Sequence, residues 1–235
     1  MIDIHNHSIP AVDDGASTID DAMQILRREA GDGVRAVVCT PHYRPGMFET
    51  SAEEVLRQYR LLAERAKQEI PELTLFLGCE IHAHVDMLDT IRTRPNCHMA
   101  DSDFVLAEFS RRHDRTVIRN TLQELRAGGL IPIIAHAERY PPITEDLDFL
   151  DELIALGCRV QLSADAIIGK SVRAEHGFCK KVLSYGMVHF VGSDAHDLRH
   201  RPPRMKECAK YLRKKAGEAF ANEILETNPA AMLGL

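Results

Sequence analysis

Nine side chains of the kind that hold divalent metal ions recur along the chain: His5-x-His7, Asp14 behind Asp13, His42, Glu80, Glu108, His136 and Asp194-x-His196. Neutral imidazole suits zinc, iron and manganese, while carboxylates bridge ions and balance their charge, so this mixture is the donor set of a hydrolytic metal centre. Two ions about 3.5–4 Å apart generate a hydroxide nucleophile at neutral pH and clamp the oxygens of an in-line displacement. Alternate side chains of an extended segment point the same way, so His5 with His7, and Asp194 with His196, can each grip one ion. Any one of these residues alone reads more readily as core or surface; their joint placement carries the reading.

That placement follows the elements. Short apolar, β-branched runs at Ile2–Ile4, Ala36–Cys39, Leu73–Leu77, Phe104–Ala107, Leu130–Ala135, Val160–Leu162 and Val188–Val191 read as buried strands. Segments of helical periodicity lie between most of them. Ser51 with Glu54 is a capping-box signature ahead of Val55, Leu56, Tyr59 and Leu62, and Ser17 with Asp20 precedes Ala22, Met23, Ile25 and Leu26. Gly31 and Gly33, Gly128-Gly129, Gly157 and Gly186 supply the stops. The residues from Pro203 to Leu235 read as one or two closing helices. Seven β-α repeats imply a parallel sheet covered by helices, closed or nearly closed into an α/β barrel, with an open doubly wound sheet as the alternative. In a parallel barrel every strand opens its C-terminal end on one face, so ligands distant in sequence converge there.

Composition narrows the function. With 235 residues, 45% hydrophobic and 27% charged, the chain has enough apolar material for a sizeable core, and residues 1–235 are expected to form one domain. A net charge of -6 opposes nucleic-acid binding. The richest basic stretch, Arg199 to Arg204 with Lys206, reads alone as a solvated loop. No apolar run is long enough to cross a bilayer and the N-terminus has no leader pattern, so no membrane insertion and a cytoplasmic location are expected. The six cysteines form no C-x-x-C pair and read as reduced structural thiols. None has Arg six positions later, which argues against a thiolate phosphatase; Cys39, with Arg44 five positions on, has the wrong spacing. His82-x-His84 is a second H-x-H that spacing alone would recruit, but Glu80 already takes that strand end. His98, His113, His176, His189 and His200 read as structural or surface residues.

Taken in order, His5-Asn6-His7, Asp13-Asp14-Gly15, Thr40-Pro41-His42, Gly46-Met47-Phe48-Glu49-Thr50, Gly78-Cys79-Glu80-Ile81, Glu108-Phe109, His136-Ala137-Glu138-Arg139-Tyr140, Ser193-Asp194-Ala195-His196 and Arg201-Pro202-Pro203 resemble the polymerase-and-histidinol-phosphatase (PHP) superfamily. The likeness spans essentially the whole chain. It is strongest to the branch of bacterial manganese-dependent protein-tyrosine phosphatases of capsular and exopolysaccharide synthesis, in which Asp14 and Glu108 stand where other branches usually carry histidine. The resemblance implies a distorted (β/α)7 barrel and three divalent ions, manganese foremost, with iron, cobalt or zinc as alternatives. It implies His5, His7, Glu80 and Asp194 for the first ion, Glu80, Glu108 and His136 for the second, and Asp14, His42 and His196 for the third. It further implies Arg139 and Arg201 as phosphate-holding residues, and a phosphotyrosine protein as substrate, the tyrosine-rich tail of a bacterial tyrosine kinase.

The expected reaction is hydrolysis of a phosphomonoester by metal-activated hydroxide, with Arg139 and Arg201 stabilising the spread charge and His42 or His196 as candidate proton donors to the leaving group. A histidinol-phosphate or other small-molecule phosphatase is the enzymatic alternative, and a structural metal-binding regulatory module the non-enzymatic one. Met47 and Phe48 are candidates for an apolar wall beside an aromatic leaving group, with core packing as an equal reading.

Overall fold

A computed structural model describes residues 1–235. Nine strands alternate with eleven helices. The strands are β1 (Ile2–Asn6), β2 (Ala36–Cys39), β3 (His42–Tyr43), β4 (Thr74–Leu77), β5 (Glu80–His82), β6 (Phe104–Glu108), β7 (Ile131–Ile134), β8 (Arg159–Ser163) and β9 (Phe190–Gly192). The helices are α1 (Ile19–Asp32), α2 (Ala52–Glu69), α3 (Met87–Thr93), α4 (Arg115–Ala127), α5 (Pro141–Thr144), α6 (Leu147–Ala155), α7 (Ala164–Ile167), α8 (Arg173–Ser184), α9 (Met205–Ala216), α10 (Glu218–Asn222) and α11 (Asn228–Leu233).

Every strand pairing is parallel, in two ladders ordered β1-β2-β4 and β3-β5-β6-β7-β8-β9. Where the sequence suggests seven strands, two staves are each broken in the middle: β2 runs through Thr40-Pro41 into β3, and β4 through Gly78-Cys79 into β5. Proline has no N–H to give the ladder, which bends the chain there. Hydrogen bonds from Gly78 N to Cys39 O and from Glu80 N to Pro41 O carry the pairing across the break. Joining the halves restores seven staves, and the circle is completed where Asn6 bridges Ala195, with His7 N donating to Ala195 O and Asp194 N to His5 O. The result is the expected distorted parallel barrel.

Apart from β3 and the partly exposed β4, the strands bury both faces, as a helix-covered parallel sheet must. Val37, Cys39, Val105, Ala107, Val160 and Val191 pack on the helices in a cluster of 55 buried residues. Residues of opposite parity, among them Ile2, Ile4, Val38, Leu106, Ile133 and Phe190, form a second cluster of ten with Met99 and Met232. Helix entry is set by side-chain caps. The box that opens α1 is Thr18 with Asp21, one residue later than the Ser17–Asp20 pair the spacing suggests, because Thr18 is the extended residue whose hydroxyl accepts from Asp21 N at 3.1 Å. Ser51 caps α2, but Glu54 turns to Arg57 and Gln58 instead of closing the box.

Candidate metal centre and its cleft

All nine candidate ligands gather at the C-terminal end of the barrel. His5 and His7 end β1 and begin its loop; His42 and Glu80 are the first residues of β3 and β5; Glu108 is the last of β6; His136 and Asp194 each follow their strand by two residues. The loops are tightly drawn. A Cβ on Gly15 would meet the His7 carbonyl at 2.1 Å, and one on Gly192 would meet His5 Cβ at 2.5 Å. His136 and Asp194 sit at φ of 32° and 55°, a left-handed conformation costly for side chains of their kind. Such strain persists only where surrounding contacts over-determine it. Here Gln161 Oε1 accepts from His136 N at 2.7 Å, and His5 O from Asp194 N at 2.8 Å.

Three overlapping groups of ligand atoms result. In the first, the Nε2 atoms of His5 and His7 are 3.1 Å apart, each 3.0–3.2 Å from Glu80 Oε2 and 3.5–3.6 Å from Asp194 Oδ1. Ligands set tetrahedrally about 2.1 Å from an ion have edges of about 3.4 Å, so these four atoms are spaced to share one. In the second, Glu80 and Glu108 stand with His42 Nδ1, at 3.1 and 4.0 Å. His136 Nε2 is 2.6 Å from the other Glu80 oxygen and 4.0 Å from Glu108. The third joins Asp14 to His42 and His196 at 3.5 and 3.4 Å, with His7 beside them. Relative to the expected sets, His42 is shared between the second and third, since its two ring nitrogens face opposite ways, and His7 stands between the first and third. Glu80, fully buried, faces four histidines with its two oxygens.

The hydrogen-bonding state of these atoms fits a cation site. His42 Nδ1, Glu80 Oε2, Glu108 Oε2, Asp194 Oδ1 and His196 Nε2 are buried and, though close to one another, none is in a hydrogen-bonding geometry. An unpartnered buried polar group costs ~1–3 kcal/mol, and five in one place fit a cluster built for cations. The imidazole tautomers agree. His5 Nδ1 faces Gln161 Oε1 at 3.3 Å, His7 Nδ1 faces Asp13 at 2.7 Å and His196 Nδ1 faces the Asp194 carbonyl at 3.0 Å. An acceptor on Nδ1 keeps the proton there and leaves Nε2 as a lone pair aimed into the site. This weakens His196 as a proton donor, because its only proton is committed to a carbonyl.

Charge in the metal-free cluster is settled by the same neighbours. Burial opposes a charge on His7, yet Asp13 and Glu80 raise it to about 10. Burial, reinforced by Glu80, lifts Glu108 to about 8. Burial, then Arg139, depresses His136 to about 4, and burial does the same to His42. Asp194 stays well below the usual carboxylate range despite burial, held by Arg139, His5 and Arg201.

Arg139 and Arg201 both donate to the Oδ2 atom of Asp194, at 2.5 and 2.6 Å, leaving Oδ1 turned to the histidines. Both also line a cleft of about 610 Å³ that opens beside the cluster, floored by Glu108, His136 and Tyr140. Phe48 is half-buried and stacks on the His42 ring at 5.2 Å, whereas Met47 projects into solvent; neither lines this cleft. Phe48 therefore packs on a candidate ligand while Met47 does not, and the two form no joint apolar wall in this cleft. Arg199 stays outside the cleft and Arg204 pairs with Asp165, so only Arg201 of the basic loop reaches it.

Several supporting residues escape sequence reasoning. Asp13 and Asp14 are adjacent and equivalent on paper; in the fold Asp13 is buried against His7, His42 N and Gly15 N, while Asp14 is 49% exposed and faces the ligands. Gln161 gives only the faint signal of a polar residue inside an apolar strand. Tyr140 Oη is hydrogen-bonded to His136 Nδ1 at 2.9 Å and accepts from Phe109 N. Of the second H-x-H, His84 is tied to the His82 carbonyl and Thr90, away from the cluster, and His82 lines the cleft without joining a ligand group. His98, His113, His176 and His189 bond to local backbone, and His200 is exposed. All six cysteines are buried; burial pushes Cys39 and Cys158 up to about 12.

Comparison with known proteins gives the family and the fold. A family model for capsular polysaccharide synthesis, CpsB/CapC, matches residues 1–234. Tyrosine-protein phosphatase CpsB of Streptococcus pneumoniae is 33% identical over 238 residues, covering 99% of this chain and 98% of that protein. Tyrosine-protein phosphatase YwqE of Bacillus subtilis (strain 168) is 30% identical over 227 residues, 96% of this chain and 89% of its own. Among solved structures, one from the work on YwqE from Bacillus subtilis and CpsB from Streptococcus pneumoniae, called unique metal-dependent tyrosine phosphatases, superposes with a TM-score of 0.90 at 27% identity, covering 100% of this chain and 94% of that one. Histidinol phosphate phosphatase from Lactococcus lactis superposes with a TM-score of 0.61 at 16% identity over 92% of this chain and 93% of that one, a likeness of fold alone.

Proposed function

The chain belongs to the CpsB/CapC family of capsular polysaccharide synthesis, and from that premise we propose how it works: it is a metal-dependent tyrosine-protein phosphatase whose ions are held by His5, His7, Asp14, His42, Glu80, Glu108, His136, Asp194 and His196. The observation that carries this is the three overlapping ligand groups beside an arginine-lined cleft. Three divalent ions, manganese foremost, suit the three groups. When bound, such ions lower the pKa of water to near neutral and neutralise phosphate charge. Everything else is done by the chain. Arg139 and Arg201 use the guanidinium edges left free by Asp194 to take phosphate oxygens, a match of planar fork to tetrahedral anion. Asp13, Gln161 and the Asp194 carbonyl orient the histidines. Neither candidate proton donor is free for that role: the His196 Nδ1 proton faces a carbonyl, and both ring nitrogens of His42 face ligand groups. The protein acts in the cytoplasm on a phosphotyrosine protein, the tail of a tyrosine kinase that controls polysaccharide synthesis; no helix is long and apolar enough to cross a membrane.

The deciding experiment compares kcat/KM for a phosphotyrosine peptide and for histidinol phosphate under one metal. A ratio well above one is expected; a ratio below one hands the site to small-molecule phosphatase chemistry. Arg139→Ala and Arg201→Ala should each lower kcat/KM for phosphotyrosine by about 10–100-fold, the ~1.5–3 kcal/mol of a charge-assisted contact. Because both arginines also hold Asp194, a fall in metal affinity should accompany the loss. Wild-type kinetics in both variants would return them to a purely surface role.

A further inference from the structure

We propose that Arg44, Arg111 and Arg112 form a specificity site for a second anionic group on the substrate peptide, beside the phosphotyrosine; this rests on the phosphatase reading above. The three line the same cleft as Arg139 and Arg201. The five arginines face only two acidic lining residues, Glu108 and Glu175, in a chain whose net charge is -6. The cleft is thus a local reversal of the protein's charge.

The arginines are not equally free. Arg139 and Arg201 are engaged with Asp194 and adjoin the ligand groups, and Arg111 donates to Glu175 at 2.8 Å. Arg44 and Arg112 form no ion pair. Arg112 is exposed, but Arg44 is half-buried and its backbone is fixed. It closes the turn after β3, with Arg44 N donating to Phe48 O at 2.8 Å and Phe48 N to Arg44 O at 2.9 Å, while Phe48 stacks on His42. A guanidinium whose backbone is fixed two residues from a candidate ligand, sharing the cleft with Glu108 but forming no ion pair, is placed for an anion that arrives with substrate.

A lone phosphate needs no more than the ions with Arg139 and Arg201. The additional bank has work only if the substrate carries another negative group nearby, a carboxylate or a second phosphate. Guanidinium forks suit both. Charge complementarity of this kind sorts substrates without touching the reacting atoms.

The test uses the metal-loaded full chain and three peptides that differ only near one phosphotyrosine: neutral neighbours, glutamate neighbours, and a second phosphotyrosine. Wild type should favour at least one anionic peptide over the neutral one by about tenfold in kcat/KM, mostly through KM. The larger of the two preferences identifies carboxylate or phosphate as the group recognised. In the double variant Arg44→Gln/Arg112→Gln the preference should fall to within about twofold of unity, and Arg44→Lys/Arg112→Lys should keep part of it. Equal efficiency on all three peptides in wild type, or an undiminished preference in the glutamine variant, overturns the proposal while leaving phosphotyrosine hydrolysis intact. Loss of the neutral peptide's turnover in step with the others would place Arg44 in catalysis or folding and overturn it too. If wild type hydrolyses none of the three, the phosphatase reading itself fails.

Discussion

Glu80→Gln should cost the protein at least one metal ion per chain and reduce kcat/KM for phosphotyrosine by more than the ~10²–10³-fold that follows loss of a single charge-stabilising group. The substitution preserves shape and removes only charge and one acceptor. Glu80 is wholly buried and touches His5, His7 and His42 through one oxygen and His136 through the other, so no other residue can compensate. Elemental analysis and kinetics read the two effects independently. His84→Ala is the control: its ring is tied to Thr90 and the His82 carbonyl, and both metal content and turnover should be kept. A glutamine variant with a full metal complement, or an alanine variant that loses it, would mean that the cluster has been drawn around the wrong H-x-H pair.

Removing the metal should abolish phosphatase activity and lower the melting temperature by an amount that depends on pH. Ligand in hundredfold excess over its Kd stabilises by ~2.7 kcal/mol per site, and each kcal/mol is worth about 2–4 °C in a chain of this size. In the metal-free cluster protons stand in for cations. His7, raised to about 10, and Glu108, raised to about 8, both hold a proton at pH 7, and the charged His7 then donates to Asp13 and lies 3.2 Å from the Glu80 carboxylate. A folded pKa raised above its unfolded value gives stability that is complete below the unfolded pKa and is lost as pH rises through the folded one. For His7 that loss runs from about 6.5 to about 10 and for Glu108 from about 4.5 to about 8. The metal-free protein should therefore weaken from pH 7 upward, and the gap in melting temperature between loaded and free protein should widen. Metal loading at pH 7 should also release protons, measurable by calorimetry in buffers of differing ionisation enthalpy. A gap independent of pH together with no proton release would sink this account.

Much of this was legible in the sequence, because the strongest local signal and the functional signal coincide. Buried parallel strands are short apolar runs, and polar residues that interrupt the chain immediately after such runs stand out against them. What the sequence obscured is of two kinds. Local conformational detail was the first: Pro41 and Gly78-Cys79 divide two staves, and the α1 box falls on Thr18 instead of Ser17, differences of one or two residues that packing decides. The second is side-chain direction. Spacing cannot say that Asp13 turns inward and Asp14 toward the cluster, that Phe48 stacks on His42, or that His42 presents one nitrogen to each of two ligand groups. Arg44 was noticed only for being at the wrong distance from Cys39, and its place in the cleft depends on a turn held by two backbone hydrogen bonds.

The bridge between Asn6 and Ala195 joins residues nearly the whole chain apart, and the atoms that secure it are backbone groups of His5, His7 and Asp194. The barrel is thus laced shut by the residues whose side chains reach for the first ion. Cation binding and ring closure therefore draw on the same residues, and the seam between first and last strands is the place where the protein, stripped of its ions, should begin to come apart. Amide hydrogens of His7 and Asp194 would report it, exchanging through a local opening when the cluster is empty and only through global unfolding when it is filled. A cell short of the right metal would then hold a barrel ajar at one stave, inactive for want of chemistry and marked for proteolysis by the same gap.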